Sequence, residues 1–412
     1  MIETRKLANG VRVIVKQMEG LLSVSMGMLV GTGAAYETDR EDGISHFIEH
    51  MLFKGTPTHT AFELSDAFDA LGAQVNAFTG KDMTCFYSKA TSDHAAEAFA
   101  LLADLFLNAT FPEEEMKREK GVVLEEIHMD EDSPEDLCID LLSRAAFGNC
   151  GYGRNILGPA RNVERFTRED LLAYRRERYC PENIVVSFAG CIRVEEALSL
   201  AEQYFGGMTP TGFTDRPMET AMKGETLFRK KPIEQAHFAI GFPCVGRDDP
   251  LRPAVQVMNI ILGGGMSSRL FKKVREELGL AYSVYSYGTH YAQTGLLTVY
   301  AGVNPAKTKD AFSAVQDVIH TFVREGVSEE EFLRGREQLK SSAIFSQENT
   351  SSQMLLYGKE MLYNDCVYDF EARMAEIAAL KREDVAAAIA ASFDFSRAAV
   401  ASVGNLKSGL SL

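Results

Sequence analysis

Apolar residues along the chain recur with the spacings of strands and helices, and the same series occurs twice. In each half, two apolar runs of strand length precede a segment with helical spacing. The runs are 11–15 and 24–30 before a helix around His46, then 227–230 and 237–242 before a helix over 253–262. Each half next has a Leu-Gly step into a strand hairpin, and Leu71 and Leu278 are 207 residues apart. This repetition predicts two homologous domains.

Longer helical stretches alternate in blocks with these hairpins, over 93–108, 112–147 and 305–349. This pattern predicts an α+β fold with two homologous α/β sandwich domains, each an antiparallel-rich sheet with helices packed on one face. A glycine- and proline-containing stretch at 206–212 indicates a linker. We therefore predict a first domain over 1–207, a linker over 208–220 and a second domain over 221–412.

The two halves differ in their acids. Each half has a helix that opens with three consecutive glutamates, at 113–115 and at 329–331. When these triplets are aligned, Gly335 lies opposite Glu119 and Ser342 lies opposite Glu126. The second copy has therefore lost two carboxylates that the first copy retains.

Composition narrows the class of protein. The chain has 412 residues, 46% of them hydrophobic, which is enough for two full cores. The net charge of −15, with no cluster of lysine or arginine, argues against nucleic acid and anionic membranes as partners. Seven cysteines without a C-x-x-C pair predict reduced thiols of a cytoplasmic protein. We expect no signal peptide, because Met1 leads directly into a strand, and no apolar run reaches the roughly 18 residues of a membrane helix.

The strongest chemical signal is the pair of histidines in the segment 43–53, GISHFIEHMLF. On a helix, His46 and His50 share a face and can chelate one metal ion, while Glu49 points toward the same ion. The order H-x-x-E-H is that of inverted zinc peptidases, in which the glutamate acts as base toward a metal-bound water. The alternative is a helix that holds two histidines by chance. Because only eight residues are histidine, that coincidence is expected in roughly one such chain in a hundred.

A third metal ligand is expected from the run 111–130, FPEEEMKREKGVVLEEIHMD, which predicts a helix. Glu119 and Glu126 are seven residues apart and therefore lie on nearly one face, which Val122 and Val123 are expected to carry inward. A carboxylate on an apolar face needs a metal or a cation as partner. The spacing alone does not choose between Glu119 and Glu126. Other acids of this region are expected at solvent-facing positions: Glu115, Glu125 and Glu131.

Four blocks together resemble a known family. They are GISHFIEHMLFKGT, LGAQVNAFTGKDMTCFY, KREKGVVLEEI and GGGMSSRLFKKVREELGLAYSVYS. The chain is similar over nearly its whole length to the family of pitrilysin, insulin-degrading enzyme and mitochondrial processing peptidase, in its half-length form. In that family the metal glutamate follows the second histidine by about 76 residues, and Glu126 follows His50 by 76. The resemblance thus implies zinc bound by His46, His50 and Glu126, with Glu119 as a second acid that supports the site and proton transfer.

The resemblance also implies residues that act on the substrate. Arg275 and Tyr282 match an arginine and a tyrosine that steady the substrate and the tetrahedral intermediate. Phe53 matches a residue that shapes a subsite. Asp136 and Asp140 lie at positions resembling acids that recognise an arginine near the cleaved bond, although a solvated acidic face explains them equally well. A strand edge that receives the substrate backbone is implied at Asn76, Ala77 and Phe78.

These observations predict a zinc-dependent endopeptidase. It is expected to cleave peptides or unfolded segments enclosed in a chamber between two chains, and the simplest assembly is a homodimer. In that assembly Arg275 and Tyr282 complete the metal site of the partner chain. The alternative is a non-catalytic subunit of the same fold, either structural or peptide-binding. Such relatives usually lose motif residues, and this chain retains them.

Overall fold

The computed structural model describes residues 1–214, residue 218 and residues 221–412, so the last part of the predicted linker lies outside the described residues. The chain divides into two compact units. The first consists of Met1–Ile127, Asn155–Met218 and Phe345–Asp369, and the second of His128–Arg154, Glu219–Ile344 and Phe370–Leu412. The passage between units after Met218 falls within the predicted linker over 208–220. Chain order predicts 128–154 in the first unit and 345–369 in the second. In the structure, 128–154 belongs to the second unit and 345–369 to the first.

The first unit contains a six-stranded sheet. Its strands are β1 (Ile2–Lys6), β2 (Arg12–Gln17), β3 (Ser23–Val30), β4 (Gln74–Thr79), β5 (Thr84–Thr91) and β6 (Ile184–Gly190). They lie in the order β1-β2-β6-β3-β5-β4. Among these strands β2 and β6 pair in parallel, and the other neighbours are antiparallel. The strand β4 is therefore an edge of the sheet.

The second unit contains a five-stranded sheet of the same character. Its strands are β7 (Thr226–Lys230), β8 (Ala236–Cys244), β9 (Ala281–His290), β10 (Gly295–Val303) and β11 (Ala399–Gly404). They lie in the order β7-β11-β8-β10-β9, in which β7 and β11 are parallel and the other pairs are antiparallel. The hairpin β9-β10 thus ends this sheet as β4-β5 ends the first.

Helices make up most of the remaining chain. Those before β6 are α1 (Ile44–Leu52), α2 (Ala61–Ala70), α3 (Ala95–Asn108), α4 (Glu113–Asp132), α5 (Pro134–Phe147), α6 (Ala160–Arg165) and α7 (Arg168–Arg178). Those after β6 are α8 (Val194–Phe205), α9 (Arg252–Leu262), α10 (Thr308–Glu325), α11 (Glu329–Ser346), α12 (Thr350–Asn364), α13 (Phe370–Ala379) and α14 (Arg382–Ser392), with a π-helix at Phe271–Glu277.

Two long helical stretches are each divided in the structure. The stretch predicted over 112–147 is broken where the Ser133 side chain caps α5 and Pro134 begins it. The stretch over 305–349 is broken at Gly326, whose φ of +67° ends α10. Within the described residues, no single helix has the length and apolar composition of a membrane span. The pair Ser92–Asn108 and Glu113–Asp132, bent by 96°, meets those criteria only when both helices are taken together.

The first sheet is covered on both faces. Val13 and Val15 of β2 point into a core formed with α1, α3 and α8. Ile14 and Leu29 point to the opposite face, where α12 packs across β2, β3 and β6. Gly358 permits this close approach, because a Cβ there would lie 2.7 Å from Leu29 Cδ1. A strand that is apolar at consecutive positions is typical of a sheet buried on both faces.

The second sheet is built in the same way. One face packs against α9, α10 and α14 through a continuous apolar core. The helix α5 packs across β7, β8 and β11, as α12 does on the first sheet. The predicted α+β class with two homologous sandwich domains is confirmed. The prediction of helices on one face was wrong, because the exchanged helices α5 and α12 supply a second layer to each sheet.

Candidate metal centre

The helix α1 begins at a glycine held by a buried carboxylate. Gly43 has φ +96°, and a Cβ there would lie 2.6 Å from the carbonyl oxygen of Leu157, so both conformation and space require glycine. Glu37 accepts hydrogen bonds from the backbone N–H groups of Gly43 (2.7 Å) and Ser45 (2.8 Å). Burial raises the pKa of Glu37 to about 7, against the opposing effect of these hydrogen bonds. This cap orients the first turn of the helix that carries both histidines.

Three potential ligand atoms converge between α1 and α4. The Nε2 atoms of His46 and His50 lie 3.3 Å apart. Glu126 Oε2 lies 3.3 Å from His50 Nε2 and 3.6 Å from His46 Nε2. Within the described residues, this is the group of histidine, cysteine and acidic side chains that could hold a metal ion. All three residues lie in the first compact unit.

The spacing of these atoms fits zinc. Tetrahedral zinc binds nitrogen and oxygen at about 2.0–2.1 Å, which places neighbouring ligand atoms about 3.3 Å apart. The three observed separations, 3.3, 3.3 and 3.6 Å, match that tetrahedral edge. Three protein ligands also leave one position for water, as in catalytic zinc sites. The residues present therefore fit the ion that the sequence predicted.

Glu119 lies next to this group and contacts His50 through Nδ1, the ring nitrogen that is not one of the three ligand atoms. Its Oε1 accepts a hydrogen bond from His50 Nδ1 at 2.8 Å, and its Oε2 pairs with Lys54 Nζ at 2.7 Å. Glu119 is 5% exposed. Burial raises its pKa, but the hydrogen bonds from His50 and Lys54 outweigh burial and hold the pKa below its usual value. The geometry thus separates two acids that spacing left equivalent, because Glu126 faces the Nε2 atoms and Glu119 faces the far nitrogen of His50.

One neighbour of these acids differs from expectation. Val123 is buried as predicted, whereas Val122 is 46% exposed. The buried positions of α4 are Met116, Glu119, Val123 and Ile127. At about 100° per residue, Val122 lies roughly 110° from the middle of that stripe. The prediction that Val122 faces inward was wrong. The buried face of α4 is centred near Val123, and Val122 lies on the exposed side of Glu119.

The histidines differ in their affinity for protons. Burial, with the nearby His50 charge, lowers the pKa of His46 to about 3, so its ring is neutral near pH 7. For His50, burial acts in the same direction and by itself would lower the pKa. The hydrogen bond to Glu119 and the charges of Glu126, Glu119 and Glu49 outweigh burial, and the pKa of His50 lies above its usual value. The acids therefore concentrate negative potential where a cation would bind.

Glu49, the predicted general base, lies on α1 with both histidines. Its Oε2 accepts a hydrogen bond of 2.5 Å from Thr79 Oγ1, at the end of edge strand β4. Burial raises the pKa of Glu49, opposed by the Thr79 hydrogen bond and by His50, and the net pKa lies above its usual value. A base whose pKa moves toward neutrality can accept a proton and return it.

The residues predicted to bind substrate in the first unit lie on β4, which contacts α1, and directly after α1. Asn76, Ala77 and Phe78 belong to β4, which pairs with β5 on one side only among the described strands. Asn76 is exposed, and its side chain accepts a hydrogen bond from Ala77 N–H. Phe53 follows the last residue of α1 and is partly buried against the core. Thr79 thus links this strand to Glu49.

The predicted substrate residues of the second unit form two groups. Arg275 belongs to the π-helix and Tyr282 to β9, and the guanidinium carbon lies 5.2 Å from the centre of the Tyr282 ring. Tyr282 is 76% exposed. Asp136 and Asp140 lie one turn apart on α5, with Asp136 exposed and Asp140 half-buried. The structure therefore brings Arg275 and Tyr282 together, and the functional roles of all four residues stay predictions.

Three supporting residues were not predicted from the sequence: Lys54, Thr79 and Glu37. Lys54 follows His50 by four residues, which is the one signal that could have placed it on the same side of the helix. Thr79 lies on β4 and reaches the site only through tertiary packing, and Glu37 lies in the loop that precedes α1. Lys54 pairs with Glu119 of α4, Thr79 donates to Glu49, and Glu37 accepts from the backbone at the start of α1.

The second unit shows what replaces this group in the other copy. The offset of 207 residues between the two hairpins places Val257 of α9 at the position of His50 and Ile261 at that of Lys54. Gly335, opposite Glu119, packs against both, since a Cβ added there would lie 3.1 Å from Val257 Cγ1 and 3.2 Å from Ile261 Cγ1. The second unit thus has an apolar contact at the positions where the first unit has His50, Lys54 and Glu119.

Comparison with known proteins agrees with this division. Residues 12–160 match the insulinase family, peptidase family M16, and residues 165–339 match the peptidase M16 inactive domain. An uncharacterized zinc protease of Bacillus subtilis, YmxG, is 41% identical over 85% of this chain and 85% of its own length. An uncharacterized zinc protease of Streptomyces coelicolor is 34% identical over 92% of this chain and 85% of its own length.

Solved structures agree in fold. A structure described as a peptidase M16 inactive domain from Pseudomonas fluorescens superposes with a TM-score of 0.92 at 24% identity, covering 100% of both chains. A protease from Helicobacter pylori gives 0.88 at 20% identity, covering 98% of this chain and 99% of its own. The chain therefore belongs to peptidase family M16, in the half-length form of the pitrilysin and processing-peptidase group.

Proposed function

We propose that this protein is a zinc-dependent endopeptidase that cleaves peptides or unfolded segments. The observation that supports this most directly is the triangle of His46, His50 and Glu126 ligand atoms, with sides of 3.3 to 3.6 Å. Glu49 lies on the same helix as both histidines, where a base is needed. The description of the relatives as zinc proteases agrees with this chemistry.

The proposed mechanism assigns one role to each group. His46, His50 and Glu126 would hold the zinc, which when bound acts as a Lewis acid that lowers the pKa of water and polarises a carbonyl. Glu49 accepts the proton of the attacking water, while Thr79 Oγ1 donates a hydrogen bond to its Oε2 and holds the carboxylate in place. The same carboxyl group then donates that proton to the leaving amine.

Substrate is proposed to bind in an extended conformation along β4. An edge strand presents unpaired backbone groups, and a peptide that adds to it is recognised by main-chain hydrogen bonds largely independent of sequence. Asn76, Ala77 and Phe78 supply that edge, and Phe53 contributes a subsite. Arg275 and Tyr282 are proposed to steady the substrate and the developing oxyanion.

The assembly is proposed to be a homodimer that encloses its substrate. Closure of two chains around a chamber would exclude bulk water from the site and limit substrates to those small or unfolded enough to enter. Reduced cysteines and the absence of basic clusters are consistent with a cytoplasmic protein that binds neither nucleic acid nor membranes.

Metal analysis with a peptide-library assay tests this function. The purified protein is expected to carry about one zinc per chain, to cleave internal peptide bonds, and to lose cleavage on chelation and regain it with zinc. Zinc bound without cleavage of any library peptide would instead favour a non-catalytic subunit of the same fold. Cleavage that survives complete removal of metal would exclude the proposed mechanism.

A second prediction concerns specificity. If Asp136 recognises an arginine upstream of the scissile bond, peptides with that arginine are cleaved faster than alanine counterparts. A partly exposed ion pair contributes up to about 1 kcal/mol, so the preference is roughly fivefold and Asp136→Asn removes it. The matched control is Glu131→Gln, which changes the same charge in the same acidic run. If kcat/KM ratios are unchanged in Asp136→Asn, the run is a solvated acidic face.

A further inference from the structure

Lys54 occupies the outer end of a chain of contacts that leads to the metal position. Its Nζ lies 2.7 Å from Glu119 Oε2, and Glu119 Oε1 lies 2.8 Å from His50 Nδ1. The other nitrogen of that ring, His50 Nε2, is the one that lies 3.3 Å from Glu126. Both oxygens of Glu119 are therefore engaged, one by a cation and one by the ring. Neither oxygen is directed at the position between the ligand atoms.

The backbone around Lys54 is held by a turn. Lys54 is the second residue after α1, and its N–H donates to the carbonyl of Met51 at 3.2 Å. The next residue, Gly55, has φ +117°, and its carbonyl accepts a hydrogen bond from Thr110 N–H at 3.1 Å. The lysine side chain is 26% exposed. These hydrogen bonds fix the backbone from which the Lys54 side chain reaches Glu119.

The second copy lacks every member of this chain of contacts. Val257, Ile261 and Gly335 stand where the first copy has His50, Lys54 and Glu119. Lys54 is thus replaced by an apolar residue in the copy that has also lost the histidine and the acid. The histidine, the lysine and the acid are absent together from the second copy, as expected if all three serve one site.

We propose that Lys54 is a positioning residue of the metal centre. It holds Glu119 in the orientation that accepts the His50 Nδ1–H, so that the lone pair of His50 is on Nε2, toward the metal. Outer contacts of this kind fix the tautomer and rotation of a metal-binding histidine. The proposal rests on the function above only in that the ion is zinc.

The two histidines differ in this support. Among the described residues, His46 Nδ1 is buried without a hydrogen-bond partner. His50 has its Nδ1 bound to Glu119, which Lys54 holds in turn. His50 is therefore the histidine whose orientation is fixed by hydrogen bonds. Loss of this orientation is expected to weaken metal binding more than removal of a charge that does not contact Glu119.

The test compares Lys54→Met with Arg118→Met. Both variants remove one positive charge near Glu119, but Arg118 is exposed and pairs with Glu115 instead. Zinc affinity is measured by competition with a chelator of known affinity, together with thermal unfolding of the metal-free proteins. Lys54→Met is expected to weaken zinc binding about 10- to 100-fold, the usual effect of losing an outer contact, and Lys54→Arg to restore most of it. Arg118→Met is expected to bind zinc as the parent does.

Three results would overturn the proposal. Lys54→Met could bind zinc like the parent, or both methionine variants could weaken binding equally, which would indicate a general effect of charge. In the third, Lys54→Met would weaken binding as strongly in a Glu119→Gln background as in the parent, although a residue that acts through Glu119 should add little there. If Lys54→Met alone is unstable, the double variant is compared with Glu119→Gln alone, and clearly weaker zinc binding by the double variant would contradict the proposal.

A metal-free measurement separates this inference from the proposed function. Nitrogen NMR of labelled histidine at alkaline pH is expected to show the Nδ1–H tautomer of His50 in the parent and a mixture of tautomers in Lys54→Met. A parent protein that binds no zinc would contradict the proposed function, and the tautomer would still test the role of Lys54. An unchanged tautomer in Lys54→Met would contradict the role of Lys54 while zinc binding stands.

Discussion

Glu49→Gln is expected to retain zinc and to lose cleavage by about 10³-fold, within the usual range for removal of a general base. Glutamine keeps the shape of the side chain and can still accept the hydrogen bond from Thr79. It cannot take a proton from water near neutral pH. Glu49 is not one of the three residues whose ligand atoms converge, so the zinc content should stay at one ion per chain. Metal analysis and kcat/KM on the same preparation measure both quantities.

The matched comparison is Glu126→Gln. This variant makes the same chemical change on α4, but at a proposed ligand 3.3 Å from His50 Nε2, and it is expected to lose both zinc and cleavage. Two patterns would contradict the assignment. In the first, Glu49→Gln loses zinc but regains turnover when zinc is supplied in excess. In the second, Glu126→Gln retains zinc as tightly as the parent. Either pattern would exchange the roles of ligand and base.

The helix with its two histidines could be predicted from the sequence because the information is local. His46 and His50 share a face through the helical period alone, and Glu49 follows from the same geometry. The third ligand is not local. Glu119 and Glu126 lie within about 20° of one another around α4, so periodicity could not separate them. The separation depends on which nitrogen of His50 each acid meets.

The two halves could be predicted from their repetition, but the exchange of helices between them could not. Chain order assigns 345–369 to the second half, whereas α12 packs on the first sheet through Met354 and Tyr357. The helix α5 packs on the second sheet in the same way. Nothing in the local pattern marks these helices, because an apolar face specifies burial and not the sheet that buries it.

The supporting residues of the site were not predictable for a related reason. Thr79 is separated from α1 by α2, and Glu37 lies in the loop before α1, where no helical period relates it to the histidines. A polar side chain in a strand or loop has many uses. Lys54 had a helical spacing signal, but a lysine after a helix commonly caps carbonyl groups or faces solvent. What distinguishes it is its buried partner Glu119, which only tertiary structure provides.

The last prediction is that two inactive variants restore activity when mixed. The metal ligands belong to one compact unit, and Arg275 and Tyr282 belong to the other. If each site is completed in trans within a homodimer, a chain with Glu49→Gln can still supply Tyr282 to a partner with Tyr282→Phe, and that partner supplies an intact metal centre. One of the two sites in each mixed dimer is then complete. Random exchange of equal amounts is expected to return about a quarter of the parent activity above the sum of the two variants.

The control mixes Glu49→Gln with Glu126→Gln. Both variants damage the metal centre, so no mixed dimer contains a complete site under either arrangement, and activity should stay at the sum of the parts. Subunit exchange is followed independently by energy transfer between differently labelled chains. If exchange is complete and the mixture of Glu49→Gln with Tyr282→Phe gains no activity, trans completion is wrong. Tyr282 then acts within its own chain or has no catalytic role, which the activity of Tyr282→Phe alone decides.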